Sequence, residues 1–286
     1  MSTNQYDLKN IDVAWCPGCG NFAIHKAVKK TLDELDVPQQ NLVMVSGIGQ
    51  AAKTPQYMKC HYFNGLHGRS LPVATGIKAA NPRLTVVVES GDGCMYGEGG
   101  NHFVHAIRRN PDVTCLVHNN MIYGLTKGQA SPTSPMGLET PVQVHGNHAR
   151  PFNPLSVALA LGATFVARAF CVDIEKTSEI IRAAVQHNGF ALVDIFQPCI
   201  TFNKINTFKW FKENTYHLSD KHDRNSISEA FKVAMKTDKF GLGILYQGKE
   251  EETFEDGTCR EKENQPLWQA KRDMKKVRDL VSSYSI

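Results

Sequence analysis

Two short motifs in this chain could hold a phosphorylated ligand through a metal ion. Ser90-Gly91-Asp92-Gly93 follows the apolar run TVVVE, and Asn119-Asn120 follows the apolar run TCLVH. Twenty-five residues with a helical pattern separate Gly93 from Asn119. If the two runs are adjacent parallel strands, Asp92 and Asn120 stand side by side at their ends. A carboxylate, an amide oxygen and a nearby backbone carbonyl, that of Ile122, are hard oxygen donors. Mg²⁺ takes such donors and completes its shell with substrate phosphates. The flanking glycines let the backbone approach a diphosphate closely. A second kind of chemistry is offered by Cys16-Pro-Gly-Cys19. In a chain of this size the Cys-x-x-Cys spacing reads as metal or redox chemistry before structural disulfide.

Such residues need a frame. Short runs rich in Val and Ile, at 42–46, 85–89, 114–118, 164–168, 191–195 and 242–246, read as strands covered on both faces. Helical patterns lie between them. Phe22, Ala27, Val28, Thr31, Leu32 and Leu35 recur at helical spacing, Asn153-Pro154 and Asp173 look like helix starts, and Ser226 to Glu229 has capping-box spacing. The alternation predicts an α/β fold with a doubly wound, mostly parallel sheet, whose ligands bind at the carboxyl ends of the strands. Residues 125–152, rich in Gly, Pro, Ser and Thr, read as one long loop. We expect a binding domain over 1–246 and a polar C-terminal extension over 247–286, with an amphipathic helix around 268–281.

Composition narrows the classes. The chain has 286 residues, 42% hydrophobic and 21% charged, with a net charge of +4. No basic stripe suggests nucleic acid. No apolar run reaches the roughly 18 residues of a membrane helix, and the first residues lack the apolar core of a signal peptide. A cytoplasmic protein with no membrane partner is the expectation. The eight cysteines are too sparse for a disulfide scaffold.

The motifs carry a further likeness. GDG followed by NN at this distance resembles the thiamine diphosphate motif. The stretches WCPGCGN (15–21), VSGIG (45–49), LHGRSLPVATGIKAANP (66–82), SGDGCMYGEGGNHF (90–103), NNMIYGLTKGQASPTSP (119–135) and QPCITFN (197–203) resemble, in order, the β subunit of 2-oxoacid:ferredoxin oxidoreductases. The resemblance implies a thiamine diphosphate-binding fold and the diphosphate half of a cofactor site shared with an α subunit, which supplies the catalytic Glu. It implies Mg²⁺ held by Asp92, Asn120 and the Ile122 carbonyl. The cofactor would be lined by Gly91, Gly93, Cys94, Gly124 and Leu125, and by Ile48, Gly49, Gln50 and Ala51. His67 would contact the diphosphate or the reacting region. Lys53 would meet the distal carboxylate of 2-oxoglutarate, favouring it over pyruvate, and Lys127 would lie near coenzyme A phosphates. The implied reaction is oxidative decarboxylation of a 2-oxoacid with coenzyme A, electrons passing through a [4Fe-4S] cluster to ferredoxin, reversible as carboxylation. A dimer of αβ pairs is typical of the family.

For the cluster, the resemblance assigns Cys16, Cys19 and Cys199. The family's fourth cysteine is replaced here by Gln50. Cys60 could substitute, a non-cysteine or exogenous group could hold the fourth iron, the cluster could have three irons, or it could be absent. The last case would leave a non-oxidative thiamine-dependent decarboxylase. A non-enzymatic iron–sulfur carrier is a third reading. Cys-Pro-Gly-Cys also faintly resembles thioredoxin, but its middle residues are reversed and no strand precedes it. Zinc would need a fourth ligand, for which His61 is available. Cys115 reads as a core thiol. Cys171, Cys259, His145 and His148 have no role assigned. Lys204, Lys209, Lys212 and Lys221 could help dock an acidic ferredoxin, or form a solvated face.

Overall fold

The structure, a computed structural model, describes residues 4–258 and 265–284. Cys259 lies outside the described residues. Eight strands form one sheet: β1 (Leu42–Ser46), β2 (His61–Asn64), β3 (Thr85–Gly91), β4 (Thr114–Asn119), β5 (Phe165–Phe170), β6 (Ala191–Phe196), β7 (Thr215–His217) and β8 (Phe240–Gln247). Their order is β2-β1-β3-β4-β6-β5-β8-β7. Every pairing is parallel except β5 with β8.

The unbroken apolar runs have a simple cause. Val87, Leu116 and Val193 enter a core beneath α1 (Asn21–Glu34) and α5 (Ile174–Val185). Their neighbours Val86, Val88, Cys115, Val117 and Leu192 enter a second core on the opposite face. That core lies beneath α2 (Ser70–Ala80), α3 (Gly100–Arg109) and α4 (Pro154–Ala160). Alternate side chains point to opposite faces, and both faces are dry. Cys115 is a fully buried core thiol, as its place in a strand predicts.

The predicted caps hold. Asn153, Asp173 and Ser226 each accept a backbone N–H at the start of α4, α5 and α7 (Ile227–Ala234), as Thr207 does at the start of α6 (Phe208–Glu213). β2 and β7 were not legible in the sequence: all four residues of β2 are exposed, and β7 is only three residues long. After the sheet the chain reaches α8 (Met274–Ser283), preceded by a 3-10 turn at Leu267–Gln269. Among the described residues no helix is long and apolar enough to cross a membrane.

The topology places the site. From β1 the chain moves outward to β2. From β3 it moves the other way, to β4. The crevice at the carboxyl ends of β1 and β3 is therefore a point where the strand order reverses, the usual ligand position in such sheets.

Candidate cofactor and cluster pockets

Three loops converge at that crevice. Asp92 follows β3, Asn120 follows β4, and Ile48 to Ala51 follow β1. One cavity is lined by Ile48, Gly49, Gln50, Ala51, His67, Gly91, Asp92, Gly93, Cys94, Asn120, Ile122, Gly124 and Leu125, the whole expected cofactor and Mg²⁺ set. His118, Tyr123 and Thr126 complete it.

Asp92 is fully buried. Its Oδ2 accepts the hydroxyls of Ser131 and Thr133, each at 2.6 Å. Burial pushes its carboxyl up to about 6, against the two hydroxyls, which act to lower it. A buried carboxylate raised this way gains most from a bound cation. Asn120 Oδ1 accepts the Ile122 N–H at 3.0 Å, and Met121 between them adopts a left-handed φ of 56°. A carboxamide oxygen has a second lone pair, so this bond leaves it able to meet an ion. Residues 93–98 wind as a π-helix, a form frequent at functional sites.

Two close approaches explain glycines in these motifs. A Cβ on Gly93 would fall 2.2 Å from Cε1 of Tyr123. One on Gly68, where φ is +72°, would fall 2.4 Å from the Glu98 carbonyl carbon. The second approach presses His67 toward the π-helix, where its Nδ1 lies 3.0 Å from Glu98 Oε2. The Cys94 thiol is buried and receives the N–H groups of Ile48 at 3.3 Å and Gly68 at 3.1 Å.

Cys16, Cys19 and Cys199 meet in a second cavity with Trp15, Gln197 and Gln50. It shares Gln50, Asn120 and Gly124 with the first. A Cβ on Gly124 would come 3.7 Å from Cys199 Sγ. Gln197 Nε2 donates to Cys19 Sγ at 3.5 Å, and the Thr201 hydroxyl to Cys16 Sγ at 3.3 Å. Burial pushes the Cys19 thiol up to about 11, so a metal must displace its proton. Among the described residues no three His, Cys, Asp or Glu side chains stand close enough for one ion. A cluster shares its thiolates among several irons and does not require that.

Cys60 is not in this cavity. It packs against the core beneath α1, where burial pushes its thiol up to about 12. The chain turns back into β2 immediately after it, which carries Cys60 and the exposed His61 away from the other cysteines. Lys53 is half-exposed in the 3-10 helix that follows Gln50, and does not line the cofactor cavity. Lys127 is exposed with a φ of 71°. His145 and His148 are exposed in the long loop, as are Lys204, Lys209, Lys212 and Lys221 on the surface. Lys204 donates to the Ile200 carbonyl and Lys209 lies 3.9 Å from Glu213.

Sequence reasoning missed the support beneath the site. Asp194 on β6 accepts Asn119 Nδ2 at 3.1 Å, the Tyr96 hydroxyl at 2.9 Å and Arg168 Nε at 3.3 Å. Glu89 and His118 sit side by side on β3 and β4, with Oε2 3.7 Å from Nε2. Burial pushes Glu89 up to about 8 and His118 down to about 3, so both are neutral near pH 7. The only sequence signal for them was polarity inside apolar runs.

Residues 41–195 match the family described as "Thiamine pyrophosphate enzyme, C-terminal TPP binding domain", the class this fold and crevice define. Residues 199–262 match the family that describes the C-terminal region of the pyruvate ferredoxin oxidoreductase beta subunit. The chain is 43% identical over 256 residues to 2-oxoacid:ferredoxin oxidoreductase 2, subunit beta, of Aeropyrum pernix, covering 85% of this chain and 83% of that one. It is 47% identical over 192 residues to the 2-oxoglutarate oxidoreductase subunit KorB of Mycobacterium tuberculosis, covering 67% of this chain and 52% of that one. A solved 2-oxoglutarate:ferredoxin oxidoreductase from Magnetococcus marinus, with 2-oxoglutarate, coenzyme A and succinyl-CoA bound, superposes with a TM-score of 0.85 at 34% identity. That match covers 97% of this chain and 89% of the other. The chain belongs to the β subunits of the 2-oxoacid:ferredoxin oxidoreductases. A β subunit of this kind works with a partner.

Proposed function

We propose that this subunit oxidises 2-oxoglutarate in preference to pyruvate, with coenzyme A as acyl acceptor and ferredoxin as electron acceptor, and that the reaction runs in reverse as a carboxylation. The observation that carries the redox part of this reading is the wall shared by the two cavities, and relatives named for 2-oxoglutarate support the substrate. Gln50, Asn120 and Gly124 border both the crevice after β3 and the cysteine pocket, so electrons have a short path between them. Thiamine diphosphate, when bound, supplies the electron sink for decarboxylation.

The chain's own residues have separate tasks. Asp92, Asn120 and the Ile122 carbonyl offer the hard oxygen donors suited to Mg²⁺. Gly93 lets the ring of Tyr123 close one side of the crevice, and Ile48 to Ala51 form the opposite wall. His67 lines the cavity with its Nδ1 3.0 Å from Glu98 Oε2. Cys16, Cys19 and Cys199 would hold the cluster. Lys53, in the 3-10 helix that follows Gln50, offers the ammonium for the distal carboxylate of the substrate. The site is closed by the Glu of the α subunit, in a dimer of αβ pairs, and the exposed lysines from Lys204 to Lys221 receive an acidic ferredoxin. Residues 1–246 act as the binding domain and 247–286 as an appended arm.

Gln50 at the family's fourth cysteine position favours one other reading, a non-oxidative decarboxylase without a cluster. The test is anaerobic purification of the complex with its α partner. Iron, sulfide and thiamine diphosphate are measured per αβ pair, and ferredoxin reduction is assayed with 2-oxoglutarate or pyruvate. About four irons per pair and coenzyme A-dependent reduction with 2-oxoglutarate are expected. Thiamine diphosphate without iron, together with aldehyde release, would replace this reading with the other.

A further inference from the structure

The cysteine pocket has three thiols, and Gln50, which lines both this pocket and the cofactor crevice, has a side-chain oxygen with no partner among the described residues. Gln50 follows β1 at the start of the 3-10 helix Ala51–Tyr57, and its backbone carbonyl accepts the Trp15 indole N–H at 2.8 Å. Trp15 adjoins Cys16, so this bond ties the Gln50 backbone to the Cys-x-x-Cys segment. Gln50 lines the same cavity as Cys16, Cys19 and Cys199. Its Oε1 is out of contact with solvent and meets no donor among the described residues. A buried amide oxygen left without a partner is costly to the fold. Such an atom, in a cavity walled by thiols, points to a ligand that occupies the cavity.

The other amides in the cavity each make at least one hydrogen bond, and none has a buried oxygen without a partner among the described residues. Asn21 Oδ1 meets His118 Nδ1 at 2.9 Å. Asn120 Oδ1 accepts from Ile122. Gln197 directs its Nε2 to Cys19 Sγ and to the Pro198 carbonyl. The remaining thiols are elsewhere. Cys60 packs into the core, and Cys171 is buried behind the backbone of Gly20, 2.8 Å from where a Cβ on that glycine would stand.

We infer that the Gln50 carboxamide oxygen is the fourth protein ligand of a [4Fe-4S] cluster whose other three irons are held by Cys16, Cys19 and Cys199. The inference rests on the cluster proposed above. An amide oxygen is harder than a thiolate and uncharged, so it binds its iron more weakly. The cluster then carries one negative charge fewer than with four thiolates. Its reduction potential is correspondingly higher, because potential follows net charge. One iron is also distinct from the other three.

The test compares the wild-type complex with Gln50→Leu, Gln50→Glu and Gln50→Cys, all purified anaerobically with the α partner. Readouts are iron per αβ pair, electron paramagnetic resonance of oxidised and reduced samples, and the midpoint potential. Co-purification with the α partner and an unchanged far-ultraviolet circular dichroism spectrum serve as the check on folding. Gln50→Leu should lose one iron in four and give the oxidised signal of a three-iron centre, while still co-purifying with the α partner. Gln50→Glu should keep four irons at a lower potential. Gln50→Cys should keep four irons, lower the potential and change the reduced spectrum. If Gln50→Leu retains four irons with an unchanged spectrum and potential, the carboxamide is not a ligand and the inference is wrong, while the cluster itself stands. A wild-type complex without iron overturns the cluster reading, and the ligand assignment falls with it.

Discussion

Asp92→Asn should stabilise the cofactor-free protein while destroying its use. Asp92 is wholly buried, and its carboxyl is raised from 3.8 to about 6, chiefly by desolvation. A shift of that size corresponds to about 3 kcal/mol, at about 1.4 kcal/mol per unit. The sign follows from proton binding. Between pH 3.8 and 6 the native state holds a proton that the unfolded chain has released, so stability falls as pH rises through this window. The cost is absent below pH 3.8 and complete above about pH 6. Asparagine carries no charge and escapes it. Its oxygen still accepts from Ser131 and Thr133, but more weakly, which returns about 1 kcal/mol. The net gain near pH 7.5 is about 2 kcal/mol, or a rise in melting temperature of about 4 °C. The assay is thermal unfolding of the αβ complex stripped of thiamine diphosphate and Mg²⁺, at pH 7.5 and pH 5. The variant should melt higher at pH 7.5, by a margin that shrinks to about half or less at pH 5. Adding Mg²⁺ and thiamine diphosphate should raise the melting temperature of the wild type alone. A variant that melts lower than wild type at pH 7.5, or a margin independent of pH, would refute the reasoning.

Other perturbations test other parts of the site. Gly93→Ala places a methyl 2.2 Å from the Tyr123 ring and must displace it; an overpacking cost of about 1–3 kcal/mol should weaken thiamine diphosphate binding about tenfold or more, read by calorimetric titration. Asp194→Ala removes the shared acceptor of Tyr96, Asn119 and Arg168 and strands a buried guanidinium. A loss of about 3–5 kcal/mol should appear as a lower urea midpoint, and an unchanged midpoint would deny Asp194 this role. Lys53→Ala should raise KM for 2-oxoglutarate and leave pyruvate kinetics as they were, measured by ferredoxin reduction; equal effects on both substrates would remove Lys53 from the recognition of the distal carboxylate.

What was legible in the sequence follows from where burial dominates. Strands β1, β3, β4 and β6 are covered on both faces, so their apolar runs announced them, and the motifs at their ends followed. β2 carries exposed Tyr62 and Phe63 and had no such run. β8 contains Gly241 and Gly243, which allow Leu218 to pack closely against it, and its antiparallel pairing has no local signature. The hydroxyls on Asp92 come from a loop without periodicity, so Ser131 and Thr133 looked like filler in a Ser- and Thr-rich stretch. Cys60 was attractive only because it lies ten residues after Gln50. Sequence distance said nothing of the turn into β2 that takes it away. Gln50 itself was legible as a departure, but only the fold reveals that its oxygen is buried and unmatched.

The cysteine pocket also fixes an order of events. Cys16 and Cys19 precede the first strand, whereas Cys199 follows β6, about 180 residues later. They become neighbours only after β1, β3, β4 and β6 have aligned, each through a crossover that brings distant parts of the chain together. Assemblies built from such long-range pairings form slowly. No partial chain ending before residue 199 can offer the full thiol set, so loading of the cluster proposed here would belong to the finished sheet and not to the growing polypeptide. Under that proposal maturation of this subunit is a post-folding step, and the interval before it is when Cys16, Cys19 and Cys199 would be open to oxidation.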